Sequence, residues 1–585
     1  MAAVFIMAQR AAGPLEGVSL PPRSADRMRK LAIIVFAATA AFANETAYRA
    51  LQSGAGFGGT PVHDHGIHGE GQVIAILDTG LDWQSCFFSE PNGSAPPFNT
   101  WSASTGLQWQ NINLARRKVI AYDLLWSCDQ YPGAPGCETP TQSVPFDNQG
   151  HGTHAAASAA GDSKTPIAHD FGDAVAPAAK LVIQDAGYIG GDNCSQRPGI
   201  GCPVALTPIL DQAYKQGVRI HSNSWGDRQG ASPFVNPPTA NYPQAARDVD
   251  AFVYSHPDLL VVFNTGNWGS GGSPPASTLS APGSAKNTLQ VGGTRDTGRD
   301  DDTLARYTLN GPTRDGRLKP ELVAPSVVLA GDAKVVLDTI PSIKDKTCGT
   351  TLQPGTSWSS PEVAGAAALA RQYYTDGFYP TGVPTPGNVM TPSAALLKAT
   401  LIASARRVPW RWTDQGADPT QPVPSYEQGF GMPALDDALF FPGDVSKLRI
   451  ADVATASGLA QGDSATLRLN VKAGTQLRAV LVWTDPPGVV SGATDATPQL
   501  VNDLNLRVTS PDGAGIWGND SLHPGQADRL NNVEVVTIAQ PAAGTYTIDI
   551  SALRLGLGPR QGYALVVTGD FTEARPGKIR AIRRM

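Results

Sequence analysis

Three short segments, far apart in the chain, each set a different reactive side chain among glycines. They are Ile76-Leu77-Asp78-Thr79-Gly80, Gly150-His151-Gly152-Thr153-His154 and Gly355-Thr356-Ser357-Trp358-Ser359-Ser360-Pro361. A serine hydroxyl attacks a carbonyl carbon poorly until a neighbouring imidazole takes its proton, and the imidazole needs a carboxylate to hold its tautomer. Asp78, His151 and Ser357 are those three groups, met in the order Asp–His–Ser. Unrelated folds carry the same triad in different chain orders, so the order is informative. An isolated Asp-Thr-Gly or Gly-Thr-Ser is usually a turn or a helix cap. All three together make a nucleophilic triad for acyl transfer. No Gly-x-Ser-x-Gly elbow accompanies them, which sets aside the lipase and esterase arrangement.

The elements that must position these groups are legible around them. From Gly71 to about Phe441, strand-like apolar runs alternate with helix-like runs, the pattern of an α/β fold on a parallel sheet. Gln72–Leu77, Lys180–Ile183 and Leu259–Phe263 read as buried strands; Pro208–Gln216, Ala246–Ser255 and Pro361–Tyr374 read as helices. In such sheets reacting groups sit where strands end and helices begin. Asp78 and Asn267 fall just after strand runs, while His151 and Ser357 precede Ala-rich runs. Past Pro442 the texture becomes short alternating strands, over Thr466–Val471, Leu477–Trp483, Leu504–Val508, Val533–Ile538, Tyr546–Ile550 and Tyr563–Val567. Pro511-Asp512-Gly513 and Ala543-Gly544 are turn signals between them. This predicts an all-β sandwich or jelly roll over 442–569. Residues 570–585 read as a basic tail without structure.

A chain of 585 residues is long enough for two or three domains. Hydrophobic residues at 41% and charged residues at 16% fit a globular protein. A net charge of -6 offers no basic footprint, so nucleic acid is not an expected partner. The longest apolar run, Leu31–Ala43, is about 13 residues, which suits the core of a signal peptide better than a membrane span. Arg27, Arg29 and Lys30 precede it and Ala41-Phe42-Ala43 ends it as a small-x-small cleavage site. Residues 28–43 therefore read as a signal peptide starting at Met28, with 1–27 an upstream extension and 44–70 an N-terminal segment of the mature chain. The expected destination is extracellular or periplasmic, as a monomer with no membrane attachment after cleavage. The six cysteines fit an oxidising compartment. Cys128 with Cys137 and Cys194 with Cys202 form close pairs in Gly/Pro-rich loops, and Cys86 with Cys348 flank the Asp and Ser motifs, although spacing does not fix connectivity.

The three motifs, in this order and context, resemble those of the subtilisin-like serine proteases (subtilases, peptidase family S8). The resemblance implies that Ser357 is the nucleophile, His151 the general base and Asp78 its orienting carboxylate, with His154 outside the triad. Asn264-Thr265-Gly266-Asn267 resembles the family segment in which Asn267 would give its amide to the oxyanion. Ser222-Asn223-Ser224-Trp225-Gly226 and Ser280-Ala281-Pro282-Gly283 resemble the walls of the pocket for the P1 side chain, so Ser224, Trp225, Gly226, Gly266 and Ser280 are expected to bind substrate. All are neutral, and the expected P1 residue is large and apolar. The substrates would be proteins and peptides, cleaved without a cofactor. Arg314–Glu321 and Leu500–Leu506 resemble the KP-43-like bacterial subgroup, which carries a C-terminal jelly roll and for which structural Ca²⁺ is expected. Calcium takes several oxygen ligands, and Asp485, Asp503, Asp520, Asn532 and Glu534 are the candidates. The chain departs from the family at Trp358, Ser359 and Glu362, where Met, Ala and His are usual, and at Asn264. Trp358 removes an oxidisable thioether from beside the nucleophile. The stretch Asn44–Gly69 is too short for a pro-domain core. A catalytically silent binding protein is the alternative, but no triad residue is missing.

Overall fold

The computed structural model describes residues 45–55, 58–102, 106–107, 111–125, 147, 150–163, 173–186, 206–226, 240–268, 274–295, 303–331, 349–413, 416–574 and 580–582. Strand β1 (Val73–Asp78) is buried almost throughout, as its unbroken apolar run requires of a strand covered on both faces. It pairs in parallel with β4 (Lys180–Asp185) and β5 (Ile220–Asn223). With β2 (Phe98–Ser102), β3 (Val119–Leu124), β6 (Leu260–Asn264) and β7 (Leu289–Thr294), the order is β2-β3-β4-β1-β5-β6-β7 within a 12-stranded sheet. Each neighbouring pair in that stretch is parallel.

Alternate side chains of β1 feed two different cores. Ile74 and Ile76 pack with α2 (His151–Ala160) and α5 (Thr356–Thr375). Ala75 and Leu77 pack with α3 (Leu206–Lys215) and α4 (Gln244–Ser255). The alanines and glycine of α2 and α5 let these helices approach closely: a Cβ added to Gly365 would lie 2.7 Å from Val175 Cβ and 2.9 Å from Ala159 O. A further helix, α1 (Glu45–Ser53), opens the described chain and buries Leu51.

Helix α5 begins at Thr356 rather than at Pro361, where the sequence predicts its start. Proline is tolerated this far inside because the bond it cannot make is made by something else. Its missing N–H would have served the Ser357 carbonyl, and Ser224 Oγ donates to that carbonyl at 2.6 Å instead. Ser357 is thereby the second residue of the helix.

The C-terminal region forms two antiparallel sheets. One is four-stranded, with β8 (Lys447–Val453), β14 (Tyr563–Gly569), β10 (Leu477–Val482) and β12 (Val533–Ile538) in that order. The other places β11 (Asn502–Thr509), β13 (Gly544–Leu555), β9 (Ser464–Val471) and β15 (Phe571–Glu573) side by side. Leu477, Ala479 and Leu481 of β10 join the core between the sheets. Val480 and Val482 turn the other way, into the core that contains α6 (Ala394–Ala403). β10 is therefore covered on both faces, and all six of its residues are buried. β8, whose alternation of Leu448 and Ile450 marks it, was absent from the sequence reading. The tail also needs correction: Phe571–Glu573 pairs with β9 and Phe571 enters the core, because Phe-Thr-Glu alternates as a half-buried strand does.

Polar anchors join the two regions. Arg478 Nη1 donates to Ala403 O at 3.1 Å and Ile402 O at 3.3 Å, satisfying carbonyls that α6 leaves open at its C-terminal end. Burial lowers its pKa to about 10. Lys286, fully buried, pairs with Asp485 and donates to Gln499 O at 2.8 Å. Removing one member of a buried pair strands the other charge. Lys286→Met should lower the unfolding free energy by about 3–5 kcal/mol in urea titration, and a loss under about 1 kcal/mol would show that the pair does not hold the regions together.

Candidate active site

The site is assembled at the carboxyl ends of β1, β5 and β6 and the amino ends of α2 and α5. Asp78 closes β1 and is 1% exposed. His151 is the first residue of α2, and its Nδ1 lies 2.6 Å from Asp78 Oδ1. Thr79 N donates to the same oxygen at 2.7 Å, fixing the carboxylate. The two elements can meet only because position 152 has no side chain: a Cβ there would stand 2.2 Å from Gly80 O. The Gly-His-Gly spacing is a packing requirement as much as a chemical signature.

Asp147 holds the start of α2 and was not singled out in the sequence. Its carboxylate accepts from Gly150 N at 2.9 Å, Thr153 N at 2.7 Å and Thr79 Oγ1 at 2.9 Å. Thr79 Oγ1 in turn accepts from Gly152 N at 2.9 Å. An acidic residue just ahead of a Gly-His-Gly helix start was the available signal, since helix N-termini favour carboxylates. The network ties the Asp78 loop to the His151 helix.

The electrostatics of the two histidines differ. Burial alone would lower the pKa of His151, but the Asp78 carboxylate outweighs it and the net shift is upward, with a smaller contribution from Asp147. His154, one turn on, has no such partner. Burial and the neighbouring His151 push it down to about 3, so it is neutral. Trp358 packs against both rings, with centroids at 4.8 Å from His151 and 4.2 Å from His154. The residue after Ser357 thus lies directly on His151, and the remote motifs converge.

Ser357 is 7% exposed, and its Oγ donates to Ser224 O at 3.4 Å. Catalytic hydrogen bonds are often made only once substrate binds. Asn267 Oδ1 accepts from Thr356 N at 2.8 Å and Thr356 Oγ1 at 3.0 Å. Asn264 is buried, and its amide reaches Thr356 Oγ1 at 3.4 Å. The sequence alone gave no reason for Asn264; here it extends the polar chain that fixes Thr356 beside Asn267.

The expected pocket walls also meet. A Cβ on Gly226 would lie 2.6 Å from Ser280 Oγ and 3.0 Å from Ala281 O, so the two segments touch only through glycine. Ser280 N donates to Thr265 O at 3.1 Å, next to Gly266. Trp225 turns its ring edge-on to Phe263 at 5.5 Å, so its side chain serves packing in the α3/α4 core.

The expected calcium ligands do not form one group. Asp485 accepts from Val501 N and Asn502 N and faces Lys286. Asn532 donates to Asn287 and to Trp483 O, while Asp520 accepts from Gly525 N in its own loop. Burial raises Asp503 to about 6 and pushes Glu534 well above the usual carboxylate range. Among the described residues no three acidic, His or Cys side chains are grouped to hold a metal. The five residues do not fit a calcium site, which corrects the assignment made from side-chain type. Cys86 is disulfide-bonded; Cys128, Cys137, Cys194, Cys202 and Cys348 lie outside the described residues.

Comparison with known proteins gives the family of the chain. The sequence signature described as the subtilase family, Peptidase_S8, matches residues 69–431. The chain belongs to the subtilase family. Among curated relatives, the serine protease/ABC transporter B family protein tagD of Dictyostelium discoideum is 24% identical, over 87% of this chain and 32% of its own length. Its namesake tagA from the same organism is 27% identical, over 90% of this chain and 32% of its own length. The chain thus spans about a third of these relatives. A solved structure, the Clostridium perfringens CspB protease, is 15% identical with a TM-score of 0.43, covering 67% of this chain and 98% of that one.

The raised His151 pKa has a direct consequence. Asp78→Asn removes the carboxylate that favours the imidazolium, so the His151 titration midpoint followed by proton NMR should move to lower pH. An unmoved midpoint would show that the 2.6 Å contact does not set its basicity.

Proposed function

We propose that this chain is an exported serine endopeptidase acting through Ser357, His151 and Asp78. The observation that carries the reading is the 2.6 Å pairing of His151 Nδ1 with a buried Asp78, beside the helix whose second residue is Ser357. Neutral His151 takes the Ser357 proton as Oγ bonds to the scissile carbonyl carbon, and the carbonyl π pair moves to oxygen. Asp78 stabilises the imidazolium that results. Asn267 and the Ser357 backbone N–H, one of the open donors of a helix start, receive the oxyanion. The imidazolium then protonates the leaving amine, and water attacks the acyl-enzyme by the same steps in reverse. No cofactor enters this sequence.

The neutral Ser224, Gly226, Gly266 and Ser280 segments support a large apolar P1 side chain. Export rests on the Met28–Ala43 segment and on the disulfide at Cys86. No helix among the described residues is long and apolar enough to cross a membrane. The second region, with sheets sharing one core, supports a jelly-roll-like domain of the KP-43-like kind. It braces the peptidase region through Lys286 and Arg478.

Cleavage of a peptide library tests the reading. Wild type should cut Phe and Leu at P1 at least about tenfold faster than Lys or Asp, since each 1.4 kcal/mol of pocket discrimination is tenfold. Ser357→Ala should lose nearly all activity. Cutting only after Lys or Arg would overturn the pocket assignment, and undiminished cleavage by Ser357→Ala would overturn the nucleophile.

A further inference from the structure

Trp358 stands beside the nucleophile with a property that neither core packing nor the triad uses. It is 4% exposed, so its indole N–H is shut away from water, yet Nε1 has no hydrogen-bond partner. A buried indole N–H usually finds an acceptor, and one left without is destabilising. The ring itself is fixed, held between His151 and His154. Its backbone is fixed too, since Trp358 N donates to Gly355 O at 3.1 Å in the first turn of α5.

Nε1 lies beside the Gly355 backbone. A Cβ built on Gly355 would lie 3.6 Å from Asn267 Nδ2 and 3.7 Å from Trp358 Nε1. The two nitrogens, with Asn267 Oδ1 slightly further off at 3.9 Å, therefore border the same small volume, which residue 355 leaves without a side chain. Asn267 Oδ1 is turned toward Thr356, which orients its amide nitrogen away from that contact. An acceptor entering this volume would meet two side-chain donors.

We propose that Trp358 Nε1–H is a third oxyanion donor, alongside Asn267 Nδ2 and the Ser357 backbone N–H; this rests on the peptidase reading above. As the Ser357 Oγ–carbon bond forms, the carbonyl π electrons move onto oxygen, and the Ser357 proton passes to His151. The indole proton is not transferred. It is the donor left unpaired in the resting enzyme and paired in the tetrahedral intermediate, so its bond is gained in the transition state and raises kcat rather than lowering KM. The indole also replaces a thioether, which could accept but never donate.

Trp358→Phe keeps an aromatic ring between the histidines and deletes only the donor. Loss of a principal oxyanion donor costs about 10²–10³ in kcat, and a supplementary one is expected to cost about 10-fold. The variant should lose that factor in kcat with KM unchanged. A peptide aldehyde with Phe at P1, whose adduct carries the oxyanion, should bind more weakly by the same factor. The cleaved product peptide should bind the Ser357→Ala protein equally well with Trp or Phe at 358. Trp358→Met should match Trp358→Phe. The proposal is overturned if kcat and aldehyde affinity survive in Trp358→Phe, or if aldehyde and product peptide weaken alike. Stoichiometric fluorophosphonate labelling of Ser357 in both proteins establishes an intact site; a wild type that does not label overturns the peptidase reading together with this one.

Discussion

Everything at the site depends on a buried carboxylate meeting an imidazole. Asp78 sits at the end of a central strand, nearly inaccessible to water, where an unpaired charge would cost several kcal/mol. His151 Nδ1 is its hydrogen-bonded partner, and the backbone N–H of Thr79 takes a further share of the carboxylate. The contact requires α2 to come down onto the β1 loop, and this is what glycine at 152 allows. Asp147 then fastens the helix start to Thr79, so strand end and helix start move as one unit.

The serine is placed by a different device. Pro361 leaves one carbonyl of α5 without its helical partner, and that carbonyl belongs to Ser357. Ser224 fills the vacancy from the end of β5, while Ser222 and Ser360 meet at 3.2 Å one turn further on. Helix α5, which carries Ser357, is thus stitched to β5 and the segment that follows it. On its other side Thr356 bonds Asn267, so the same turn fixes the Asn267 side chain. Behind these elements the β-sandwich-like region closes the C-terminal end of α6 through Arg478, and its strand β10 is buried on both faces. The peptidase region and its companion share a continuous core.

Much of this was legible in the sequence because it rests on local pattern. The parallel strands at Val73, Lys180 and Leu260 were marked by apolar runs, and the motif glycines marked the strand-to-helix turns. What was not legible depends on tertiary partners. The helix-like run reads from Pro361 in the sequence, and nothing local reveals that Ser224 will satisfy the open carbonyl and let the helix start at Thr356. Phe571 was read as part of a charged tail because the arginines beyond it dominate the composition, whereas a single strand's pairing with β9 decides its fate. The carboxylates offered as calcium ligands were chosen by residue type, and Lys286, far away in sequence, takes Asp485 for itself. Asp147 was passed over because a lone acid ahead of a helix carries little signal until its acceptors are seen.

The most direct measurement of the central claim is mass spectrometry of the acyl-enzyme trapped at early times with a slowly deacylating ester across a pH series. The account predicts an adduct on the peptide containing Ser357, formed more slowly as the pH falls through the raised pKa of His151. In Asp78→Asn that dependence should shift to lower pH, with the rate reduced by about 10⁴. An adduct on another residue, or acylation at Ser357 that ignores both pH and Asp78, would contradict it.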